Sequence, residues 1–182
     1  HGHDGVVVSG TTGESPTTTV AEDGDILRVV IDAIGDRASV VAGVGTNATA
    51  HSIELARQAE KLGADGMLLV TPYYNKPSQA GVLEHFRQVV EAAALPVMLY
   101  DVPGRTGVTI APDTYRRAAE WESVVAIKDA VGDYPRGVRL MRDTGLVVYS
   151  GDDANNLGWL AHGASGFVSV AGHACGDGLR EI

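Results

Sequence analysis

Seven short apolar runs constrain the fold of this chain more than any other feature. Each run is almost continuously hydrophobic, which is typical of a β-strand covered on both faces. Successive runs begin about 20 to 34 residues apart, which predicts parallel strands joined by helices. The runs are GVVVS at 5–9, SVVAG at 39–43, GMLLV at 66–70, PVMLY at 96–100, VVAIK at 124–128, LVVYS at 146–150 and GFVSV at 166–170.

The segments between the early runs have the period of amphipathic helices. Apolar residues recur every three or four positions in 26–34, 55–62 and 82–93, which predicts three helices that each turn one face to the sheet. No linker or low-complexity segment interrupts the pattern, so we expect one α/β domain over residues 1–182. Turn residues predict where helices begin or end at Gly35, Gly63, Pro96, Pro112, Pro135, Gly145 and Gly163.

Two architectures are compatible with this alternation, a (β/α) barrel and an open doubly wound sheet. An open nucleotide-binding sheet places a G-x-G-x-x-G turn between its first strand and first helix. The corresponding turn here is GTTGE at 10–14, which lacks that spacing. The sequence therefore favours the barrel.

The composition excludes several classes of protein. The 182 residues carry a formal net charge of −9, whereas nucleic-acid binding depends on clustered Lys and Arg. No apolar run approaches the roughly 18 residues of a membrane span, and the single cysteine, Cys175, has no partner for a disulfide. The histidines show no metal-ligand spacing. We expect a cytoplasmic protein that binds no nucleic acid, membrane or metal.

Lys128 is the most informative polar residue. It ends the run at 124–128, and the strands of a (β/α) barrel end at the rim where active sites lie. A lysine that points from a strand into a barrel mouth loses hydration, which lowers the pKa of its amine and suits it to forming a Schiff base with a carbonyl. The alternative is a lysine that leaves the strand for solvent or an ion pair, and position alone leaves both open.

Other polar residues follow strand ends and converge on the same rim. Tyr100 has a phenol that can relay a proton. Thr11 and Thr12 offer hydroxyl and backbone N–H groups to a carboxylate or phosphate. Arg105 follows a Pro-Gly turn, and its guanidinium fork suits a carboxylate. Each residue also has a purely structural interpretation. Tyr100 could be a half-buried barrel aromatic, Thr11 and Thr12 a polar tight turn, and Arg105 an arginine that faces solvent.

Asp152 and Asp153 follow the sixth apolar run. Adjacent residues that enter a helix point in different directions, which argues against an acid–base or metal-binding pair. We therefore interpret both as helix caps that compensate the helix dipole.

Five motifs, in this order, carry a family resemblance. GTTGES at 10–15, TPYYNKP at 71–77, YDVPGRTG at 100–107, AIKDA at 126–130 and SGDDA at 150–154 resemble those of the dihydrodipicolinate synthase family, in particular its actinobacterial members. That family belongs to the pyruvate-dependent class I aldolases, and the resemblance implies a TIM (β/α)8 barrel. By the same comparison the chain lacks the first strand and helix and the C-terminal helical region. We thus expect about seven βα units, with two unpaired sheet edges.

The resemblance also implies roles for the rim residues. Lys128 would form the Schiff base with the keto carbon of pyruvate. Tyr100, Thr12 and Tyr74 would relay protons, the last of them in the site of a neighbouring subunit. The remaining implied contacts are Thr11 and Thr12 on the pyruvate carboxylate, Arg105 on the carboxylate of aspartate semialdehyde, and Gly151 and Val168 in the pyruvate pocket.

The implied activity is a lyase reaction that condenses pyruvate with aspartate 4-semialdehyde to give 4-hydroxy-tetrahydrodipicolinate, a step of diaminopimelate and lysine biosynthesis. It would need no cofactor, and the resemblance suggests a homotetramer built from dimers. Asp101 stands where the family often has asparagine, a change that we expect to be mild.

Three alternatives remain. Sugar-acid aldolases and dehydratases of the same family keep similar motifs. Sialic-acid lyases usually have Ser-Thr at the place of Thr11 and Thr12 and lack an arginine at the place of Arg105, so both differences favour the synthase. These related enzymes together form the first alternative. The second is a non-catalytic incomplete barrel, and the third is a barrel that binds a phosphorylated ligand at Thr11 and Thr12.

Overall fold

The structure is a computed structural model that describes residues 2–182. The strands are β1 Gly5–Val8, β2 Ser39–Gly43, β3 Gly66–Val70, β4 Val97–Asp101, β5 Val124–Asp129, β6 Val147–Ser150 and β7 Gly166–Phe167. The helices are α1 Val20–Ile34, α2 Thr49–Leu62, α3 Gln79–Val90, α4 Pro103–Thr106, α5 Pro112–Ala118, α6 Tyr134–Thr144, α7 Asn156–Ala161 and α8 Gly172–Leu179. Within this range, no helix combines the length and apolar character needed to cross a membrane.

The seven strands form one parallel sheet in which each strand pairs with the next along the chain. This order never reverses, whereas a doubly wound sheet changes direction at a switch point. Consecutive parallel βα units are the pattern of the TIM barrel, so the predicted α/β barrel class is confirmed. Six of the seven strands lie within one residue of the bounds predicted from the apolar runs.

The sheet buries apolar side chains on both faces. Its outer face packs against the helices, where Phe86, Tyr115 and Trp159 are fully buried. Its concave face carries a smaller cluster that includes Leu68 and Val70. Coverage on both faces explains why the strands are continuous apolar runs rather than alternating ones.

The helix ends follow the capping signals of the sequence. Thr19 opens α1 with a capping box, in which its hydroxyl accepts from the Glu22 backbone N–H and the Glu22 carboxylate accepts from the Thr19 N–H. Gly63 and Gly145 follow α2 and α6 in the left-handed conformation, with φ of 86° and 72°. Pro112 occupies the first position of α5. The predicted boundaries at Gly63, Gly145 and Pro112 are confirmed, whereas the start of α1 at Thr19 was not among the predictions.

The last strand is shorter than predicted. The apolar run at 166–170 predicts a five-residue strand, but β7 ends at Phe167. The backbone N–H groups of Val170 and Ala171 donate to the Asp153 carboxylate, at 3.1 and 2.9 Å, instead of to a neighbouring strand. A carboxylate that accepts these hydrogen bonds turns the chain away from the sheet.

Strands β1 and β7 are the edges of the sheet formed by residues 2–182. Segments next to these edges contact each other. His3 Nε2 lies 3.2 Å from the carbonyl oxygen of Gly172, and the Arg180 guanidinium lies 3.9 Å from the Asp4 carboxylate. The sheet therefore curls far enough to bring the residues before β1 to helix α8.

Gly43 provides a test of how tightly the sheet holds the loop after β1. A Cβ at Gly43 would lie 2.2 Å from the carbonyl oxygen of Ser9, and the Ser9 hydroxyl is tied to Asp23. We expect Gly43→Ala to lower the free energy of unfolding by about 1 to 3 kcal/mol, because neither backbone can move away freely. Denaturant unfolding measures this change.

The matched control is Gly178→Ala, where an added Cβ would contact nothing within 4 Å. We expect that variant to unfold at the same denaturant concentration as the parent chain or slightly higher. Equal stability of the two variants would contradict the packing described for Gly43.

Candidate active site

Lys128 and Tyr100 lie side by side on the concave face of the sheet. Strands β4 and β5 are parallel, and their register pairs the two residues directly. The Lys128 Nζ lies over the Tyr100 ring, 4.3 Å from its centroid. The strand register alone thus brings together an amine and a phenol that are 28 residues apart in sequence.

The Lys128 side chain stays inside the protein. The residue is only 7% exposed, and no carboxylate of residues 2–182 lies at ion-pair distance from its amine. Burial lowers the pKa of Lys128 from 10.5 to about 8, while the charge of Asp153 opposes this shift. Of the two interpretations that the sequence left open, the structure favours the desolvated lysine.

The Tyr100 phenol lies among polar neighbours from two loops. Burial raises the pKa of Tyr100, whereas hydrogen bonding with the Thr12 side chain and the positive charge of Arg105 lower it. Thr12 belongs to the short 3-10 turn Thr11–Gly13 after β1, and Arg105 belongs to α4 after β4. The structure therefore brings four of the predicted rim residues together: Lys128, Tyr100, Thr12 and Arg105.

The loop that carries Thr11 and Thr12 is fixed by Asp23, a residue that the sequence reasoning missed. Asp23 Oδ1 accepts from the hydroxyls of Ser9, at 2.9 Å, and Thr18, at 2.8 Å. These two residues flank the loop, so one buried carboxylate holds both of its ends. One sequence signal could have revealed the role of Asp23. It is an acidic residue on the buried face of α1, four residues before Leu27.

Gly151 and Val168 take positions close to the end of β6. A Cβ at Gly151 would lie 2.8 Å from Lys128 Cγ and 2.9 Å from Cε, so any larger residue would displace the lysine. The Gly151 N–H donates to the Asp129 carbonyl at 2.7 Å, and that of Val168 donates to the Ser150 carbonyl at 2.8 Å. Both predicted pocket residues are thus held by backbone hydrogen bonds.

The Tyr74 side chain makes no hydrogen bond or ring contact with this cluster in the part of the chain that the structure describes. Its side chain is 86% exposed, its φ is 69°, and its backbone N–H donates to the Thr106 carbonyl at 3.2 Å. The loop after β3 therefore packs on α4, while the Tyr74 phenol projects into solvent. The structure does not bring Tyr74 to Lys128 within one chain.

Asp152 and Asp153 differ in role, although the sequence predicts two helix caps. Asp152 accepts from the Ala154 N–H at 3.3 Å, as a cap does. Asp153 lies in the first turn of the 3-10 helix Asp153–Asn155, where its charge compensates the dipole, but it is not a cap. Its carboxylate accepts instead from the Ser169 hydroxyl and from the N–H groups of Val170 and Ala171. Burial raises the pKa of Asp153, but these hydrogen bonds outweigh it and lower the pKa overall. Asp153 is therefore a charged anchor beside Lys128.

The structure offers no candidate metal centre in the part of the chain that it describes. Among residues 2–182, no three His, Cys, Asp or Glu side chains come together in a way that could hold a metal ion.

Comparison with known proteins establishes the family of this chain. The model of the dihydrodipicolinate synthetase family matches residues 1–182. The chain belongs to this family. It is 61% identical over 176 residues to the 4-hydroxy-tetrahydrodipicolinate synthase of Acidothermus cellulolyticus, and 59% identical over 181 residues to 4-hydroxy-tetrahydrodipicolinate synthase 2 of Streptomyces coelicolor.

Solved structures of dihydrodipicolinate synthases share the fold. The Bacillus anthracis enzyme superposes with a TM-score of 0.96 at 47% identity, and the Acinetobacter baumannii enzyme, complexed with pyruvate, with a TM-score of 0.95 at 43% identity. Both matches cover 99% of this chain and 62% of the solved one. The match with the Acidothermus relative covers 97% of this chain and 57% of that relative. The match with the Streptomyces relative covers 100% of this chain and 60% of that relative.

The electrostatic coupling between Asp153 and Lys128 can be tested within this family member. A negative charge stabilises the ammonium form, so we expect Asp153→Asn to lower the pKa of Lys128 below about 8. The measurement is the pH dependence of Lys128 acetylation by limiting acetic anhydride, quantified by peptide mass spectrometry. The midpoint should move to lower pH.

Asp152→Asn is the matched control. The Asp152 carboxylate accepts a hydrogen bond from the Ala154 N–H, and the Lys128 pKa depends on the charge of Asp153 rather than on that of Asp152. We expect it to leave the midpoint unchanged. An equal shift in both variants, or none in Asp153→Asn, would contradict the coupling.

Proposed function

We propose that this chain provides the catalytic rim of a lyase that condenses pyruvate with aspartate 4-semialdehyde to form 4-hydroxy-tetrahydrodipicolinate, in diaminopimelate and lysine biosynthesis. The observation that carries the proposal is the buried Lys128 amine, with a pKa of about 8, in contact with Tyr100. The names of the relatives support this reaction over the sugar-acid and sialic-acid alternatives.

The first step uses the amine of Lys128 as the nucleophile. The neutral amine attacks the keto carbon of pyruvate, and loss of water gives a protonated imine. Tyr100 and Thr12 carry the protons that this dehydration requires, since the Thr12 side chain lies within reach of the phenol. A pKa near 8 leaves a useful fraction of the amine uncharged at neutral pH.

The second step forms the new carbon–carbon bond. The imine loses a proton from the pyruvate methyl group to become an enamine, which attacks the aldehyde carbon of aspartate semialdehyde. The amino group of that substrate then displaces Lys128 by transimination and closes the ring. The iminium itself accepts the electron pair during deprotonation, so we propose that the reaction needs no metal or other cofactor.

Substrate binding is assigned to the loops around this pair. We place the pyruvate carboxylate on Thr11 and Thr12, next to the Gly151 backbone and Val168, and the carboxylate of the semialdehyde on Arg105. The fixed loop after β1 and the absence of a side chain at Gly151 support this placement. Arg105 is exposed at the rim, where an incoming substrate can reach it.

Tyr74 is assigned to the site of a second copy of this chain. The exposure of its side chain supports an exchange between subunits of a homo-oligomer. We propose a tetramer built from such dimers, acting in the cytoplasm on small-molecule substrates.

Trapping with pyruvate tests the Schiff base directly. We expect incubation with pyruvate and borohydride to convert Lys128 into N-(1-carboxyethyl)lysine, detected by peptide mass spectrometry. The chain has only three lysines, and the exposed Lys61 and Lys76 serve as internal controls for non-specific reductive alkylation. A folded sample without an adduct on Lys128, or with equal adducts on all three lysines, would refute the catalytic role and favour a non-catalytic barrel.

Arg105 decides between the synthase and the sugar-acid alternatives. We expect Arg105→Ala to lower kcat/KM for aspartate semialdehyde about 10- to 100-fold, because hydrogen bonds to a charged group are worth roughly 1.5 to 3 kcal/mol. Trapping of pyruvate on Lys128 should be unchanged, and 2-keto-3-deoxy sugar acids should not be cleaved by either form. An unchanged rate with the semialdehyde, or turnover of the sugar acids, would contradict this assignment.

A further inference from the structure

A buried cluster of charges lies directly behind the Lys128–Tyr100 pair. Asp101 and Asp129 each follow one of these two residues, and the register of β4 and β5 pairs them as well. Because successive strand residues point to opposite faces, the two carboxylates face the helices while the amine and the phenol face the concave side. The carboxylates are 0% and 2% exposed.

Arg136 of α6 bridges the two carboxylates. Its Nη2 lies 3.0 Å from Asp101 Oδ2, and its Nη1 lies 3.6 Å from Asp129 Oδ2. Only 13% of the arginine side chain is exposed. Two like charges on adjacent strands repel each other, and burial raises the pKa of both acids, while the positive charge of Arg136 lowers it. The guanidinium therefore offsets a repulsion at strand ends that backbone hydrogen bonds already pair.

The same cluster also fixes the two loops that follow these strands. Asp101 Oδ2 accepts from the Thr109 hydroxyl at 3.0 Å and from the Ile110 N–H at 3.2 Å, which anchors the segment after Arg105. Asp129 Oδ1 accepts from the N–H groups of Val131, at 2.9 Å, and Gly132, at 3.0 Å.

Arg136 Nη2 additionally donates to the Ile110 carbonyl at 2.5 Å. One arginine therefore ties the ends of β4 and β5 and the loops beyond them into a single unit.

We propose that Arg136 is a positioning residue for the Schiff-base reaction, which bridges Asp101 and Asp129 and thereby holds the Lys128 amine against the Tyr100 phenol. This inference rests on the proposed function, but it concerns a residue that touches neither substrate nor the reacting atoms. The planar fork of arginine reaches two carboxylates at once, whereas a lysine at this position presents a single point charge.

The rate constant of pyruvate trapping at saturating pyruvate tests this role. We expect Arg136→Gln to lower it about tenfold, because displacing a reacting group by a fraction of an ångström slows reaction strongly. The pyruvate concentration at half-saturation should change little, since Thr11 and Thr12 lie on a separate loop. Arg136→Lys keeps the charge but loses the fork, and should recover part of the rate.

Three comparisons separate positioning from stability. A purely structural role would reduce the fraction of molecules that can be trapped, and leave the rate constant of the folded molecules unchanged. Arg139→Met, which removes an exposed arginine three residues further along α6, should behave as the parent chain. Asp129→Asn removes the charge at one end of the bridge in a nearly isosteric way and should slow trapping as well.

The outcomes distinguish this inference from the proposed function. If the parent chain traps no pyruvate on Lys128, the proposed function fails. If the parent chain traps pyruvate and every folded Arg136 variant does so at the parental rate, the positioning role is wrong. Should Arg136→Gln not fold, Arg136→Lys and Asp129→Asn provide the same comparison, and parental rates in both would overturn the inference.

Discussion

The burial of the Lys128 amine is the constraint on which the rest of the site depends. The pKa of this amine falls from 10.5 in the unfolded chain to about 8 in the fold, so its ammonium form is disfavoured by on the order of 3 kcal/mol at neutral pH. Because the unfolded chain binds the proton more tightly, this cost decreases as the pH rises from about 8 towards 10.5. A domain is stable by only 5 to 15 kcal/mol in general, so the surrounding structure has to compensate for such a residue.

Buried or partly buried carboxylates hold the loops around this amine. Asp23 fixes the two ends of the loop after β1, Asp101 and Asp129 fix those after β4 and β5, and Asp153 fixes the segment after β7. Each accepts hydrogen bonds from hydroxyl or backbone N–H groups, which are strong when the acceptor is charged. These bonds fix the positions of the rim loops, as substrate orientation requires.

Most of the fold could be predicted from the sequence because its determinants are local. Apolar runs covered on both faces predicted the strands, and glycine or proline predicted several helix boundaries. The family motifs predicted which rim residues to examine, but the burial of Lys128 needed the structure, since a strand-end lysine can equally reach solvent.

The residues that the sequence reasoning missed or misread depend on partners distant along the chain. Asp153 was misread as a cap because the residues that it anchors begin 16 positions later, at Ser169. The hydrogen bonds that the Val170 and Ala171 N–H groups donate to the same carboxylate explain why β7 is shorter than its apolar run. Arg136 and Asp23 had a weaker signal, a charged residue on the buried face of a helix, which becomes informative only once the partners across the sheet are known.

The most direct test of the central claim is the titration of Lys128 by NMR, in a chain labelled with ¹³C at the lysine Cε. With only three lysines, each resonance can be assigned by substituting one residue at a time. The structure predicts that the Lys128 signal titrates at a pH of about 8. Titration near the ordinary lysine value of 10.5 would show a solvated ammonium and contradict the account of a desolvated nucleophile.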